Sequence, residues 1–205
     1  MTYFDFLLRI RDKLSDTREP YLWSDAELLS YVNDTLSHIF YFCELDKASI
    51  SFNTVADESS YSLPSDLVKV ISVFCEKVRL IEVDFDEFNY LGDGKGLPKF
   101  YFIDGAILHL KPIPDKVYVI RLYYQRRFRQ PSSVVEELPI PGYMYQLLEY
   151  GVLAKAYSKQ DSEVYDLNLA DYYGKMYNGE LLIVRSRSVR DRGLSRVSPV
   201  MGGLL

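Results

Sequence analysis

The hydrophobic pattern of this chain changes its period twice, and this change limits the possible folds. Apolar residues recur at helical spacing before about Ala48 and again after about Pro139, whereas the region between them alternates as β-strands do. The simplest packing joins the first and last helices into one bundle, with the strands as an insertion. We therefore predict an α+β fold, in which N- and C-terminal helices form a bundle around an inserted antiparallel β sandwich or barrel, followed by an extended C-terminal arm.

This pattern also sets the predicted domain boundaries. The N-terminal helices of the bundle span residues 1–46, the inserted β domain 47–130, the C-terminal helices 131–184 and the arm 185–205. Ser24 and Glu27 form the S-x-x-E capping box that begins the clearest helix. Small residues would let the last two helices approach closely, at Gly151, Ala154, Ala170 and Gly174. The predicted helices are 2–15, 24–43, 143–159 and 163–184.

The middle region is rich in β-branched and aromatic residues, separated by turn residues. Asp104 and Gly105 form a tight hairpin signal between two of its strands. Short antiparallel strands with such turns predict a small sandwich or barrel. The predicted strands are 48–53, 60–63, 67–74, 78–83, 98–103, 106–110 and 117–128.

The C-terminal segment 185–205 differs in charge from the rest of the chain. It carries +4, and because the whole chain carries −5, the remainder carries −9. A short basic arm cannot bury a core of its own, but it can order on an acidic or grooved partner. The arginines expected to make this contact are Arg185, Arg187, Arg190, Arg192 and Arg196. The apolar residues expected to enter a groove on the partner are Val200, Met201, Leu204 and Leu205. A weaker candidate contact is formed by Arg126, Arg127 and Arg129.

Residues that commonly perform catalysis or bind metal are scarce. The two histidines, His38 and His109, have no partner at ligand spacing, which predicts structural or surface roles. Cys43 and Cys75 lie in apolar segments, as buried free thiols do. Residues 84–89 depart from a calcium loop at several positions, so we expect a solvated loop there. These patterns predict no enzyme activity, no cofactor and no metal.

Taken in chain order, a set of short segments resembles the head–tail adaptor family of short-tailed bacteriophages, also called connector, head completion or tail tubular proteins. They include RIRDKLSD at 9–16, LWSDAELLSYVNDTL at 22–36, YSLPSD at 61–66, PKFYF at 98–102 and LHLKPIP at 108–114. The others are 67–74, 122–124, 138–139, 147–157 and 166–181.

This resemblance implies a structural protein of the virion, made in the host bacterial cytoplasm. Twelve copies would form a ring beneath the portal protein, extend the DNA channel and offer a platform for tail or nozzle proteins. The bundle would make the ring, the segment 185–205 would dock on the portal, and the β insertion would face outward or toward tail components. DNA would pass through the lumen without sequence-specific binding, and an acidic body would repel its phosphates.

Three other readings of the sequence remain. The 18 tyrosines and 11 phenylalanines fit a Tyr-rich β core or an interface equally well. The first alternative function is a ligand- or glycan-binding β module on a helical base, in which tyrosine rings would stack on the ligand. An enzyme would need a carboxylate pair such as Asp84 with Asp86. A DNA-binding accessory factor conflicts with a pI near 5.1. No apolar run reaches the roughly 20 residues that cross a membrane, so no membrane partner is expected.

Overall fold

The chain folds into two compact units of different secondary structure. The computed structural model describes residues 1–160 and 165–194, with side chains to residue 187. One unit combines Met1–Cys43 with the chain from Phe128 onward and is helical, whereas Glu44–Arg127 forms a β unit. The predicted α+β class, with helices at both ends of the chain and antiparallel sheets between them, is confirmed.

The helical unit contains four of the five helices in the described residues. They are α1 (Tyr3–Lys13), α2 (Asp25–Cys43), α4 (Tyr145–Tyr157), which follows a 3₁₀ turn at Gly142–Met144, and α5 (Leu167–Leu194). The predicted capping box of α2 is confirmed, since the Glu27 amide donates to Ser24 Oγ and the Ser24 amide donates to the Glu27 carboxylate. An equivalent box of Thr2 and Asp5 begins α1.

The core of this unit lies between α2 and α4, and both α1 and α5 pack against that pair. Fully buried apolar side chains fill it, including Phe6, Ile10, Leu28, Leu36, Leu147 and Leu148. The predicted close approach of the last two helices occurs at Gly151 of α4, where an added Cβ would lie 2.9 Å from the Tyr177 ring of α5 and would also overlap Thr35 of α2. It does not occur at Gly174, where an added Cβ would meet nothing within 4 Å.

The β unit consists of two four-stranded sheets. The strands are β1 (Lys47–Asn53), β2 (Ser60–Ser62), β3 (Leu67–Cys75), β4 (Val78–Arg79), β5 (Ile81–Glu82), β6 (Phe100–Asp104), β7 (Ile107–Lys111) and β8 (Val119–Arg126). Antiparallel strands form the first sheet in the order β1-β8-β3-β4, and the second has the order β2-β7-β6-β5 with β5 parallel to β6. Asp104 pairs with Ile107 across the predicted hairpin, and Gly105 adopts φ +55° in its turn.

Both sheets contribute to one hydrophobic cluster, as in a sandwich. Val73, Ile120 and Leu122 come from the first sheet, whereas Leu108 and Leu110 come from the second. Cys75 belongs to this cluster, and Cys43 is buried in the helical unit. The prediction that both cysteines are buried free thiols is therefore confirmed.

Two predictions about the β region were wrong. The expected strand 78–83 is divided at the buried residue Leu80 into β4 and β5, which belong to different sheets. The expected solvated loop at 84–89 forms a short helix, α3 (Phe85–Tyr90). Its formation has a local cause, because the Asp84 side chain accepts a hydrogen bond from the Glu87 amide and so caps the helix.

The last helix is longer at its C-terminal end than predicted. α5 continues to Leu194, ten residues beyond the expected end at Val184, so 185–194 are helical rather than an extended arm. The prediction placed the boundary where the charge changes. Arginine is a good helix former and does not end a helix, and no proline occurs between Val184 and Pro199.

Candidate interaction surfaces

The first arginine of the proposed arm is held within the helical unit. The Arg185 guanidinium lies over the Phe42 ring, 4.6 Å from its centroid, and so joins α5 to α2. Arg187 is exposed one half-turn further along. Arg190 and Arg192 belong to α5, but their side chains are outside the described part of the chain. The other arm candidates lie beyond the described residues, at Arg196, Val200, Met201, Leu204 and Leu205.

The second arginine cluster is divided between the two units. Arg126 ends β8 and donates to Asp46 Oδ1 from Nη2 at 2.5 Å; this bond and the Asp46 charge raise the Arg126 pKa. The Arg127 amide donates to the Asp66 carbonyl, while its side chain is exposed. Arg129 is exposed in the helical unit. Of the three, Arg126 therefore has a clear structural role within the β unit.

Both histidines have partners that explain their positions without catalysis. His38 Nδ1 is 2.7 Å from the Tyr177 hydroxyl, a bond that joins α2 to α5. His109 Nδ1 is 3.0 Å from Ser60 Oγ and its ring stacks on Phe102. Asp84 is engaged as a helix cap. Among the described residues, no three or more His, Cys, Asp or Glu side chains are grouped to hold a metal ion.

An apolar groove lies between α1 and α2. Phe4 and Leu8 of α1 are each about half exposed, at 51% and 52%, and they line a cavity of about 270 Å³ with Leu29 of α2 and Val134. The Phe4 amide donates to the Val134 carbonyl, so the segment after the β unit closes one side of the groove. Helical spacing in the sequence places Phe4, Leu7, Leu8 and Leu14 close to one face of this helix, but only Leu7 and Leu14 are buried.

A second apolar surface follows the outer face of α5. Leu169, Tyr172, Met176 and Ile183 are exposed and recur at intervals of three, four and seven residues, so they form one ridge along the helix. Helical spacing in the sequence places a different set of residues on the apolar face of this helix: Leu167, Ala170, Gly174, Tyr177, Leu181 and Val184. That face does not include the ridge, and its first residue, Leu167, is 64% exposed. The ridge could have been found in the sequence from the helical spacing of Leu169, Tyr172, Met176 and Ile183.

The groove and the ridge belong to different helices that pack on the central pair α2 and α4. α1 reaches α4 through the ion pair of Arg9 with Glu149, at 2.6 Å. α5 reaches α4 through Tyr173, whose ring packs on Tyr150, and through Tyr177 beside Gly151. Within the described residues, α1 and α5 make no extended contact with each other. The helical unit therefore presents two separate apolar surfaces.

The β unit has an aromatic cluster on its second sheet. Phe85 and Phe88 of α3 pack against Phe102 of β6, and Phe88 also contacts His109 of β7. The Lys111 ammonium lies 4.8 Å from the centre of the Phe88 ring and donates to the Leu91 carbonyl. The helix α3 thus covers much of this sheet face, although Phe85 remains 61% exposed.

Comparison with known proteins identifies a family. The family model described as "SU10 adaptor protein" matches residues 1–200, which include both units. This match confirms the resemblance to phage head–tail adaptor proteins. A search of curated proteins finds no match. No helix in the described residues is long and apolar enough to cross a membrane.

Proposed function

Because the chain belongs to the SU10 adaptor protein family, we propose that it is a non-enzymatic structural adaptor at the head–tail junction of a tailed bacteriophage virion. The family match over residues 1–200 is the observation that carries this proposal. The positions of both histidines and Asp84 support it, because each has a structural partner. The protein is made in the host cytoplasm and acts in the virion.

In this proposal the protein forms a ring, most simply of twelve copies, beneath the portal protein. The ring extends the DNA channel and offers a platform for tail or nozzle proteins. The net charge of −5 supports passage of DNA, since an acidic wall repels phosphates and lets the duplex slide without sequence-specific binding. The two apolar surfaces of the helical unit support a protein that is buried among partners.

The C-terminal segment is the proposed contact with the portal. The extended length of α5 changes how that contact would be made, because 185–194 continue the helix. Arg187, Arg190 and Arg192 would then be presented on a helix, while Arg196 and the apolar residues 200–205 follow it. Arg185 is assigned to the fold instead, since it packs on Phe42.

Electron microscopy of the portal ring of the same virion, mixed with this protein, tests both parts of the proposal. We expect an added symmetric layer with the full chain, and none with a chain that ends at Leu194. A second variant, in which Arg187, Arg190, Arg192 and Arg196 are all glutamine, separates loss of charge from loss of length and should also fail to bind.

The outcomes are distinct. If the chain ending at Leu194 adds the same layer as the full chain, the docking role of 195–205 is wrong and the adaptor role stands. If the full chain adds no layer to an intact portal, the adaptor role is overturned. The aromatic cluster around Phe102 would then favour the alternative of a ligand- or glycan-binding β module, which a glycan array would test.

A further inference from the structure

We propose that neighbouring copies of this chain join head to tail, with the α5 ridge of one copy seated in the α1–α2 groove of the next. The ridge is Leu169, Tyr172, Met176 and Ile183, and the groove is lined by Phe4, Leu8, Leu29 and Val134. This inference deepens the proposed function, on which it rests, because it names the surfaces that would build the ring.

Exposure of these side chains is the first argument. Tyr172 is 55% exposed and Ile183 47%, and they lie in line with Leu169 and Met176. Phe4 and Leu8 are exposed to a similar degree on the groove side. Single exposed apolar residues are ordinary, whereas a group of them on one helix face or around one groove marks a protein contact. An amphipathic helix laid into an apolar groove is a common form of such a contact.

The relative position of the two surfaces argues for a second copy as the occupant. A symmetric dimer would need one surface that matches itself, whereas a ring needs two different surfaces on each subunit. The groove belongs to α1 and α2 and the ridge to α5, and within the described residues α1 and α5 make no extended contact with each other. A convex ridge and a concave groove on the same unit meet this requirement.

Charge at the two surfaces is also complementary. Asp12 is exposed on α1, and the Asp25 side chain beside the groove is 77% exposed. Arg187 continues the ridge four residues after Ile183 and is exposed. Asp25 is already paired with Arg11, which also lines the cavity, whereas Asp12 lies four residues after Leu8 on the groove side of α1. The Arg187 end of the ridge can therefore approach Asp12 beside the groove of the next copy, which would orient the contact.

The test uses one substitution on each surface of the full-length chain. Leu8→Asp places a charge in the groove, and Met176→Asp places one on the ridge. Each variant alone should weaken self-association at least ~30-fold, the effect typical of a central interface residue. Leu182→Asp is the matched control, because Leu182 precedes Ile183 and is 61% exposed but lies off the ridge.

Mixing the two variants gives the sharpest result. The Leu8→Asp copy keeps its ridge and the Met176→Asp copy keeps its groove, so one intact junction remains between them. Sedimentation velocity should show dimers in the mixture, monomers for either variant alone, and larger assemblies for the wild type and Leu182→Asp. Recovery of the dimer also shows that both variants are folded.

Several outcomes would overturn the inference. A mixture that stays monomeric, a Leu8→Asp variant that assembles normally, or a wild-type chain that remains monomeric at its highest soluble concentration would each do so. A chain ending at Leu194 should assemble like the full chain, and loss of assembly there would assign the groove to 195–205 instead. If both variants form the portal-bound layer as well as the wild type does, the proposed interface is wrong but the proposed adaptor function still stands.

Discussion

Gly151 of α4 lies directly against the Tyr177 ring of α5. A Cβ added at Gly151 would be 2.9 Å from Tyr177 Cε2, and it would overlap Thr35 Cγ2 of α2 from the other side. The Tyr177 ring is fixed in turn by its bond to His38 of α2. Three helices thus converge on one residue that has no side chain, and the packing of the helical unit depends on that glycine.

We therefore expect Gly151→Ala to destabilise the protein. Overpacking of a tight core costs about 1–3 kcal/mol, and the better helix propensity of alanine offsets up to about 1 kcal/mol of that. A net loss of about 1–2 kcal/mol should appear in urea unfolding followed by far-UV circular dichroism.

Gly174 provides the matched control for that substitution. It also lies within a helix, but an added Cβ would meet nothing within 4 Å. Gly174→Ala should stabilise the protein by about 0.5–1 kcal/mol, because only the propensity gain remains. Equal effects of the two substitutions would show that helix contact at Gly151 is not the cause.

Arg11 should be needed for folding, although it is charged. Its side chain is 5% exposed and donates to Asp16 at 2.8 Å, and to Asp25 and the Trp23 carbonyl. Arg11→Met would leave the Asp16 carboxylate, 2% exposed, without its counter-ion. We expect a loss of about 3 kcal/mol in the free energy of unfolding, since breaking a buried pair leaves an uncompensated charge.

An exposed ion pair of the same kind gives the comparison. Lys175 and Asp171 pair at 2.5 Å on α5, with side chains 75% and 60% exposed. Lys175→Met should change stability by no more than about 0.5 kcal/mol. If both substitutions cost the same, burial does not explain the importance of Arg11.

The role of Asp84 can be separated from a catalytic one by two substitutions. Its side chain caps α3 by accepting from the Glu87 amide at 2.8 Å. Asp84→Ala should cost about 1 kcal/mol, whereas Asp84→Asn should cost little because asparagine caps equally well. Thermal unfolding of the two variants measures this, and an asparagine variant as unstable as the alanine variant would contradict the cap.

The parts of the fold set by local spacing could be predicted from the sequence. The Ser24–Glu27 box locates the start of α2, and the Asp104–Gly105 turn locates a hairpin, because each depends on residues a few positions apart. Division of 78–83 at Leu80 could not be predicted in this way. It depends on which sheet each half joins, and that is decided by distant strands β3 and β6.

The candidate surfaces also could not be predicted from local spacing alone. The residues of the α5 ridge have helical spacing in the sequence, but this spacing favours burial of Leu169 and Tyr172 as much as burial of Leu181. Only the packing of α5 on α4 shows which face is left uncovered. The α1–α2 groove likewise needs Val134, more than 100 residues from Leu29, and no local pattern joins them.

Stability should fall in alkali partly because of Cys75. This thiol is fully buried in the sandwich core, and desolvation, with a smaller contribution from the Glu76 charge, raises its pKa to about 11. Because the unfolded chain releases this proton near its ordinary pKa of about 8.5–9, the thiol's contribution is present below that pH and is lost as pH rises towards 11. Cys75→Val removes the group, so the wild-type free energy of unfolding should fall relative to the variant by about 1.4 kcal/mol per pH unit over that range. Urea titrations of both proteins at several pH values measure this difference in the free energy of unfolding. Both proteins contain the same tyrosines, so the effect of tyrosine ionisation is removed by the subtraction. A difference that does not change with pH would refute the assignment to Cys75.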